Sequence, residues 1–176
     1  SRLNGDFGLM IEIVTRQNLE DSGFQREAYD LWTLHGGLIA VRGPNLAETS
    51  PEQLMTWSGV FGEVEEEMHT AREDMMLPGF PILRIGNTKD EAGKPKASFA
   101  KVPQLMSDAD IQYNPESRRP VWHADSTFRK QPPIGSVFHC RQAPPEGAET
   151  LFADTRAAFA GLDEVTKTKL KPLEAV

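Results

Sequence analysis

The heptapeptide Trp-His-Ala-Asp-Ser-Thr-Phe at residues 122–128 decides how this chain is interpreted. In an extended strand, successive side chains point to opposite faces, so we expect His123, Asp125 and Thr127 to share one face. An imidazole and a carboxylate on one face can bind the same metal ion, and they are two of the three ligands in the facial triad of non-haem Fe(II) oxygenases. Alone, His-x-Asp is a short pattern that also arises by chance. The surrounding sequence therefore has to support the metal site.

Length and composition limit the possible classes of protein. The 176 residues suffice for one domain with a real core. The net charge of −7 argues against a nucleic-acid surface, which needs clustered Lys and Arg. No apolar run approaches the length of a membrane span, and the first residues lack the apolar segment of a signal peptide. Because Cys140 is alone, no internal disulfide can form, and we expect a cytoplasmic protein. From the charge and the absence of a long apolar run, we expect it to bind neither nucleic acid nor membrane.

Helices are predicted early in the chain and short strands late, which suggests helices packed on a β-sandwich or jelly roll. Strand-like apolar or alternating stretches occupy residues 8–14, 38–42, 81–87, 134–141 and 149–153. Helix starts are predicted where a short polar side chain can accept hydrogen bonds from free N–H groups. These are Asp21 or Ser22, then Ser50 with Pro51 and Gln53 in a capping box, and Asp154 or Thr155 before one long helix with Phe159, Leu162 and Leu170.

The other histidines and the polar stretches have simpler interpretations than metal binding. His35 is expected at a helix C-terminus, where glycines follow and the macrodipole favours it. His69 is expected on the surface, and His139 as a satisfied core or rim histidine rather than a third ligand. The acidic run at residues 63–67 predicts a solvated face. Residues 88–120 lack periodicity and lead directly to His123, so we interpret them as a lid, with plain disorder as the alternative.

Three blocks of the sequence resemble the taurine dioxygenase/2,4-D dioxygenase (TauD/TfdA) group of Fe(II)- and 2-oxoglutarate-dependent oxygenases. Their order and spacing agree with that family, and together they cover most of the chain. The blocks are residues 37–43 with 50–54 and 61–63, residues 122–128 followed by Pro132-Pro133, and residues 145–154 opening the helix that carries Phe159 and Leu162.

The resemblance implies a fold, a cofactor and site residues. His123 and Asp125 would be the first two iron ligands, and the hydroxyl of Thr150 would contact the carboxylate of 2-oxoglutarate. The implied fold is α+β, with a double-stranded β-helix (jelly-roll) core and flanking helices. The implied reaction uses Fe(II), 2-oxoglutarate and O₂ to hydroxylate a small organic substrate, and it releases succinate and CO₂.

Two departures from the family pattern limit what the resemblance implies. The family has a distal His as third ligand and an Arg that clamps 2-oxoglutarate, and neither has a candidate here. We therefore expect residues 1–176 to be one oxygenase domain cut before the end of the jelly roll, inactive by itself. Where the taurine enzymes have substrate residues, this chain has Glu67, Thr70 and Arg119, which argues against taurine. Arg119 suits an anionic carboxylate or sulfonate, and a solvated turn is an equal alternative.

Two other classes of function stay open from the sequence. One is a non-catalytic jelly-roll fragment or homologue that acts in binding or assembly, which the missing distal His and Arg favour. The other is a cupin-like dioxygenase, although cupins resemble a His-x-His pattern more closely and leave Thr150 without a role. Neither the substrate nor the oligomeric state, including a homo-oligomer, is determined by the sequence.

Overall fold

The computed structural model describes residues 1–4, 7–65, 75–85, 122–127, 129–143, 145–146 and 150–173. Residues 1–4 and 7–65 form a unit that we call the N-terminal body. In chain order the helices and strands are β1 (Arg2–Asn4), β2 (Phe7–Ile11), α1 (Arg16–Glu20), α2 (Ser22–Leu34), β3 (Ile39–Val41), a 3₁₀ turn (Leu46–Glu48), α3 (Pro51–Gly59), α4 (Thr155–Ala160) and α5 (Glu164–Leu170).

The sheet of the N-terminal body has the strand order β1-β2-β3. β1 pairs antiparallel with β2, and β2 pairs parallel with β3, so that Leu9 lies opposite Ile39. A parallel pair needs a crossover connection, which α1 and α2 supply. The predicted strand at residues 8–14 is confirmed only to Ile11, because Ile13 has a φ of 62°, a value that β-branched residues rarely adopt. The chain turns there into α1.

A close backbone approach beside the sheet requires glycine at position 43. The Val14 N–H donates to the carbonyl of Arg42 at 3.1 Å, which brings the two chain segments together. A Cβ at Gly43 would lie 1.7 Å from the Val14 carbonyl oxygen, a distance that no side chain can occupy. Gly43 therefore lets the end of β3 pack against the turn that follows β2.

The helix starts predicted in the N-terminal body are confirmed. The carboxylate of Asp21 accepts from the Phe24 N–H at 2.8 Å at the start of α2. Ser50 and Gln53 make the two reciprocal bonds of a capping box, both 3.2 Å, at the start of α3. His35 follows the last residue of α2 as its C-cap, as expected. The short helix α1 was not predicted.

The single long helix predicted after Asp154 is wrong, because the structure has two short helices there. Asp154 caps α4 as expected, and a second cap, Asp163, begins α5 after a break. Hydrogen bonds from backbone N–H groups stabilise both carboxylates in the charged form. They lower the pKa of Asp154, chiefly through the Ala157 N–H, and that of Asp163, chiefly through the Thr166 N–H.

An aromatic cluster joins the helices of the N-terminal body. Trp57 is 5% exposed and stacks on Phe24 with ring centroids 5.8 Å apart. Phe61 packs edge-on against both Trp57, at 5.3 Å, and Trp32, at 5.5 Å. The buried core around Trp57 consists of Val14, Leu19 and Ala28.

The predicted jelly roll is not confirmed. Within the described residues, pairing outside the three-stranded sheet is limited to a single antiparallel bridge between Met76 and Leu83. The strands predicted at residues 134–141 and 149–153 are wrong for their described parts, which have no ladder partner. The described part of the strand predicted at residues 81–87 is reduced to the bridge at Leu83. The predicted lid at residues 88–120 lies outside the described residues. None of the described helices is long and apolar enough to cross a membrane.

We expect Trp57→Ala to lower the free energy of unfolding by about 3–5 kcal/mol, because it removes a large buried ring. Leu34→Ala is the matched control, since Leu34 lies on α2 and is 75% exposed, and its effect should stay within about 0.5 kcal/mol. Denaturant titration followed by circular dichroism measures both. Equal losses in the two variants would contradict a core centred on Trp57.

Candidate functional site

The segment that carries His123 and Asp125 is a turn, not a strand. Residues 122–124 have no regular structure, and a turn runs from Asp125 to Thr127. Ser126 has a φ of 56°, in the left-handed region that few residues other than glycine adopt. The Arg129 N–H donates to the Ser126 carbonyl at 3.1 Å, which links the turn to Arg129. The predicted alternation of side chains along a strand is therefore wrong.

The turn nevertheless brings the two predicted ligands together. His123 Nε2 lies 3.1 Å from Asp125 Oδ1, and the two side chains are 63% and 64% exposed. Two ligands about 2.1 Å from an octahedral metal, at right angles to each other, are about 3.0 Å apart. The observed separation therefore fits adjacent positions on one metal ion. Without metal, the same distance is that of a hydrogen bond from the imidazole to the carboxylate.

The remaining predicted site residues are not joined to this pair. Thr150 is exposed, and no hydrogen bond connects it with His123 or Asp125 in the described parts of the chain. No group of three or more His, Cys, Asp or Glu side chains able to hold a metal occurs among the described residues. The predicted substrate residue Arg119 lies outside those residues, as do His69, Glu67 and Thr70. The donor set on the turn thus supplies two ligands of suitable chemistry.

His139 has a role that agrees with its predicted one. Its Nε2 lies 2.7 Å from the carbonyl oxygen of Leu46, in the 3₁₀ turn of the N-terminal body. A carbonyl oxygen can only accept, so the Nε2 carries the hydrogen and is not available to a metal. His139 is therefore a satisfied rim histidine in this structure, and it holds the segment after the turn against the N-terminal body.

The contacts that hold the ligand turn in place are not predictable from the local sequence. Arg129 forms an ion pair with Glu65, 64 positions earlier in the chain. Glu65 belongs to the acidic run that was interpreted as a solvated face, and only the opposite signs of the two charges hinted at a pair. Beyond Arg129, Ile134 occupies space next to Gly62, where a Cβ would lie 2.8 Å from its Cδ1. The ligand turn is thus attached to the end of α3.

A cavity of about 510 Å³ lies elsewhere, between the C-terminal end of α2 and the start of α4. Phe7, Gly36, Phe152 and Arg156 contribute to its wall, and His123 and Asp125 do not. Asp154 also lines it, but its carboxylate accepts the N–H bonds that cap α4. The cavity therefore adds no ligand to the His123–Asp125 pair.

The chain matches a family model described as taurine catabolism dioxygenase TauD, TfdA family, over residues 3–176. It is 31% identical over 160 residues to an (S)-phenoxypropionate/alpha-ketoglutarate-dioxygenase of Delftia acidovorans, across 91% of this chain and 47% of the relative. It is 23% identical over 175 residues to an alpha-ketoglutarate-dependent sulfonate dioxygenase of Saccharomyces cerevisiae, across 99% of this chain and 38% of the relative.

A shorter match has higher identity. An alpha-ketoglutarate-dependent 2,4-dichlorophenoxyacetate dioxygenase of Burkholderia sp. is 38% identical over 55 residues, which are 31% of this chain and 18% of that protein. The chain spans about half the length of the curated relatives it matches over most of its sequence. No solved structure gives a significant match.

We expect His139→Gln to leave metal affinity within about twofold of the original, because the glutamine amide can donate to the Leu46 carbonyl in place of the imidazole. Titration of the full-length protein with Co(II), followed by visible absorption, measures the affinity. His123→Gln is the comparison and should weaken Co(II) binding strongly. A comparable loss in His139→Gln would instead make His139 a ligand.

Proposed function

Because the chain belongs to the taurine catabolism dioxygenase TauD, TfdA family, we propose that its protein is an Fe(II)- and 2-oxoglutarate-dependent oxygenase. The proposed reaction hydroxylates a small anionic organic substrate and releases succinate and CO₂. The observation that carries the proposal is the 3.1 Å approach of His123 Nε2 to Asp125 Oδ1 within a family match that spans residues 3–176.

In this proposal, His123 and Asp125 would hold the iron as two of its protein ligands. A neutral imidazole and a carboxylate suit Fe(II), and a third protein ligand still leaves positions open in the facial arrangement. Bound iron and 2-oxoglutarate supply the oxidising chemistry, which belongs to the cofactor rather than to the protein. The contribution of this chain is to keep the two donors on the same side of the turn and to orient them. Thr150 is proposed to donate its hydroxyl hydrogen to a carboxylate of 2-oxoglutarate.

An anionic substrate, a carboxylate or a sulfonate, is supported by the relatives. They are named for dioxygenase activity on phenoxypropionate, 2,4-dichlorophenoxyacetate and sulfonate, which are all anions. Arg119, three residues before the Trp-His pair, has a planar guanidinium that can bind such a group through two parallel hydrogen bonds. We propose Arg119 as a contact of the substrate anion.

The proposed architecture is one oxygenase domain with a jelly-roll core, to which residues 1–176 contribute a part. The family match supports the jelly roll, and the relatives are about twice as long as the matched region. The cytoplasmic location stays a prediction.

A second candidate function is a binding or assembly module without catalysis. It is favoured by large apolar side chains that are exposed after the ligand turn, including Ile134 at 71% and Phe138 at 63%. Such surface is typical of sites where another protein segment packs. Metal-dependent turnover in the full-length protein distinguishes the oxygenase from this alternative.

We expect Asp125→Ala in the full-length protein to lower Fe(II)-dependent succinate release by more than about 100-fold. Loss of a group that merely orients a metal ligand costs about 10–100-fold, so loss of a ligand should cost more. The assay offers phenoxypropionate, 2,4-dichlorophenoxyacetate and an alkylsulfonate in turn. Glu164→Gln is the control, because this exposed carboxylate pairs with Lys167 within α5. Undiminished turnover in Asp125→Ala would remove the metal assignment.

We expect Thr150→Val to raise the 2-oxoglutarate concentration for half-maximal rate by roughly 10- to 100-fold, because a hydrogen bond to a charged group contributes about 1.5–3 kcal/mol. The maximal rate should change less. Thr168→Val is the matched control, since the Thr168 hydroxyl donates within α5 to the Glu164 carbonyl. An unchanged requirement in Thr150→Val would leave Thr150 without a role in binding 2-oxoglutarate.

A further inference from the structure

The ion pair between Glu65 and Arg129 connects the ligand turn to the N-terminal body. We propose that Glu65 and Arg129 are positioning residues, which set the direction in which His123 and Asp125 face the metal. The inference rests on the proposed function only in taking those two side chains as metal ligands. It concerns the two residues of the pair, neither of which was among the predicted site residues.

Arg129 acts on the turn through its backbone as well as its side chain. Its N–H donates to the carbonyl of Ser126, the residue that follows Asp125 in the turn. Its guanidinium is held by the Glu65 carboxylate. Arg129 thus connects the turn, through its hydrogen bond to Ser126, with the N-terminal body, through its ion pair with Glu65. A movement of the Arg129 side chain would be transmitted through this hydrogen bond to Ser126, and from there to Asp125.

The other end of the pair is attached to a rigid part of the molecule. Glu65 follows the end of α3 by six residues and Phe61 by four. The Phe61 ring packs against Trp57 and Trp32 in the aromatic cluster. Trp57 belongs to the buried core of the N-terminal body, and Phe61 packs against that core. Glu65 therefore lies four residues after a position that is held by packing. Close-packed cores keep such points in place, because their side chains have few alternative arrangements.

The Glu65–Arg129 pair is also less exposed than the ligands that it is proposed to orient. The Arg129 side chain is 20% exposed and that of Glu65 is 40% exposed, against 63% and 64% for His123 and Asp125. Partial burial weakens the screening of the two charges by water. By contrast, Lys167 and Glu164 form a pair within one helix, which can orient nothing outside α5. The long-range pair is the one suited to a positioning role.

The contact with Glu65 also makes Arg129 a poor candidate for binding an anionic substrate directly. Its positive charge is compensated by the carboxylate that it contacts. A substrate anion would have to displace Glu65 and leave that carboxylate without its partner. We therefore assign Arg129 to positioning rather than to the contact with substrate.

A double-mutant cycle in the full-length protein tests the proposal. The variants are Glu65→Gln, Arg129→Gln and the two together, with Arg129→Lys as the conservative variant and Glu164→Gln as the control. Co(II) is the probe, and its affinity and visible spectrum are measured well below the melting temperature of each variant. We expect each single glutamine variant to bind Co(II) roughly three- to tenfold more weakly, below the 10–100-fold cost of removing a direct partner of a ligand.

The expected pattern across the cycle is specific. The double variant should lose no more affinity than either single variant, because the second substitution removes an interaction that is already lost. Arg129→Lys should recover most of the affinity, and Glu164→Gln should bind as the original does. A change in the Co(II) spectrum of the single variants would show altered ligand geometry, which a loss of overall stability alone would not produce.

The outcomes separate this inference from the proposed function. If the unmodified protein binds no Co(II), or if Asp125→Ala binds it equally well, the metal site itself fails. If the metal site holds but the single variants bind within twofold of the original, the positioning role is overturned. Losses that multiply in the double variant overturn it as well, since they would show that the two residues act independently. A variant that does not fold is replaced by Glu65→Asp, which keeps the charge and shortens the side chain, and the same criteria apply.

Discussion

The aromatic cluster of Phe24, Trp57, Phe61 and Trp32 is the constraint on which the described structure depends. It buries Trp57 to 5% exposure and joins α2 to α3 through ring contacts between 5.3 and 5.8 Å. Aromatic rings bury large areas and prefer offset-stacked or edge-on geometry, so the cluster fixes both distance and angle. The same rings extend toward the ligand segment, because Trp32 lies next to Gly135, 3.6 Å from where a Cβ would be. Hydrophobic burial therefore sets the surface against which the ligand segment lies.

The ligand pair depends on backbone geometry rather than on a sheet. A strand would bring His123 and Asp125 to one face by alternation, whereas here a turn with Ser126 at a φ of 56° brings their tips within 3.1 Å. Residues with positive φ persist where the surrounding structure over-determines them, and they are concentrated at functional sites. The hydrogen bond from Arg129 to Ser126 and the ion pair of Arg129 with Glu65 are the local contacts that supply this constraint. Two donors on a turn need a contact outside the turn to hold them in place. Donors on a strand are already held by the hydrogen bonds of the sheet.

The sequence predicted the parts of this fold that depend on neighbours within a few residues. Ser50 is predicted as a helix cap, and Asp21 and Asp154 are each one of two predicted caps, because their acceptors lie two or three residues from the N–H groups they bind. The association of His123 with Asp125 was predicted for the same reason, although through the wrong backbone conformation. The strand predicted at residues 134–141 is wrong. Alternating side chains indicate which residues would share a face of a strand, but they do not identify a neighbouring strand with which it would form hydrogen bonds. The Glu65–Arg129 pair was missed because 64 residues separate its members and no local pattern marks it.

Exposure of the ligand pair determines what the rest of the site must provide. At more than 60% exposure, the charge of Asp125 and the dipole of His123 are strongly screened by water. The same two donors in a water-excluded cavity would bind a cation with less competition and hold it in one geometry. Covering the turn changes its dielectric environment but not the separation of its donors, which the backbone already sets. The donors are therefore brought together by local structure, while the strength of the site is determined by whatever packs over the turn.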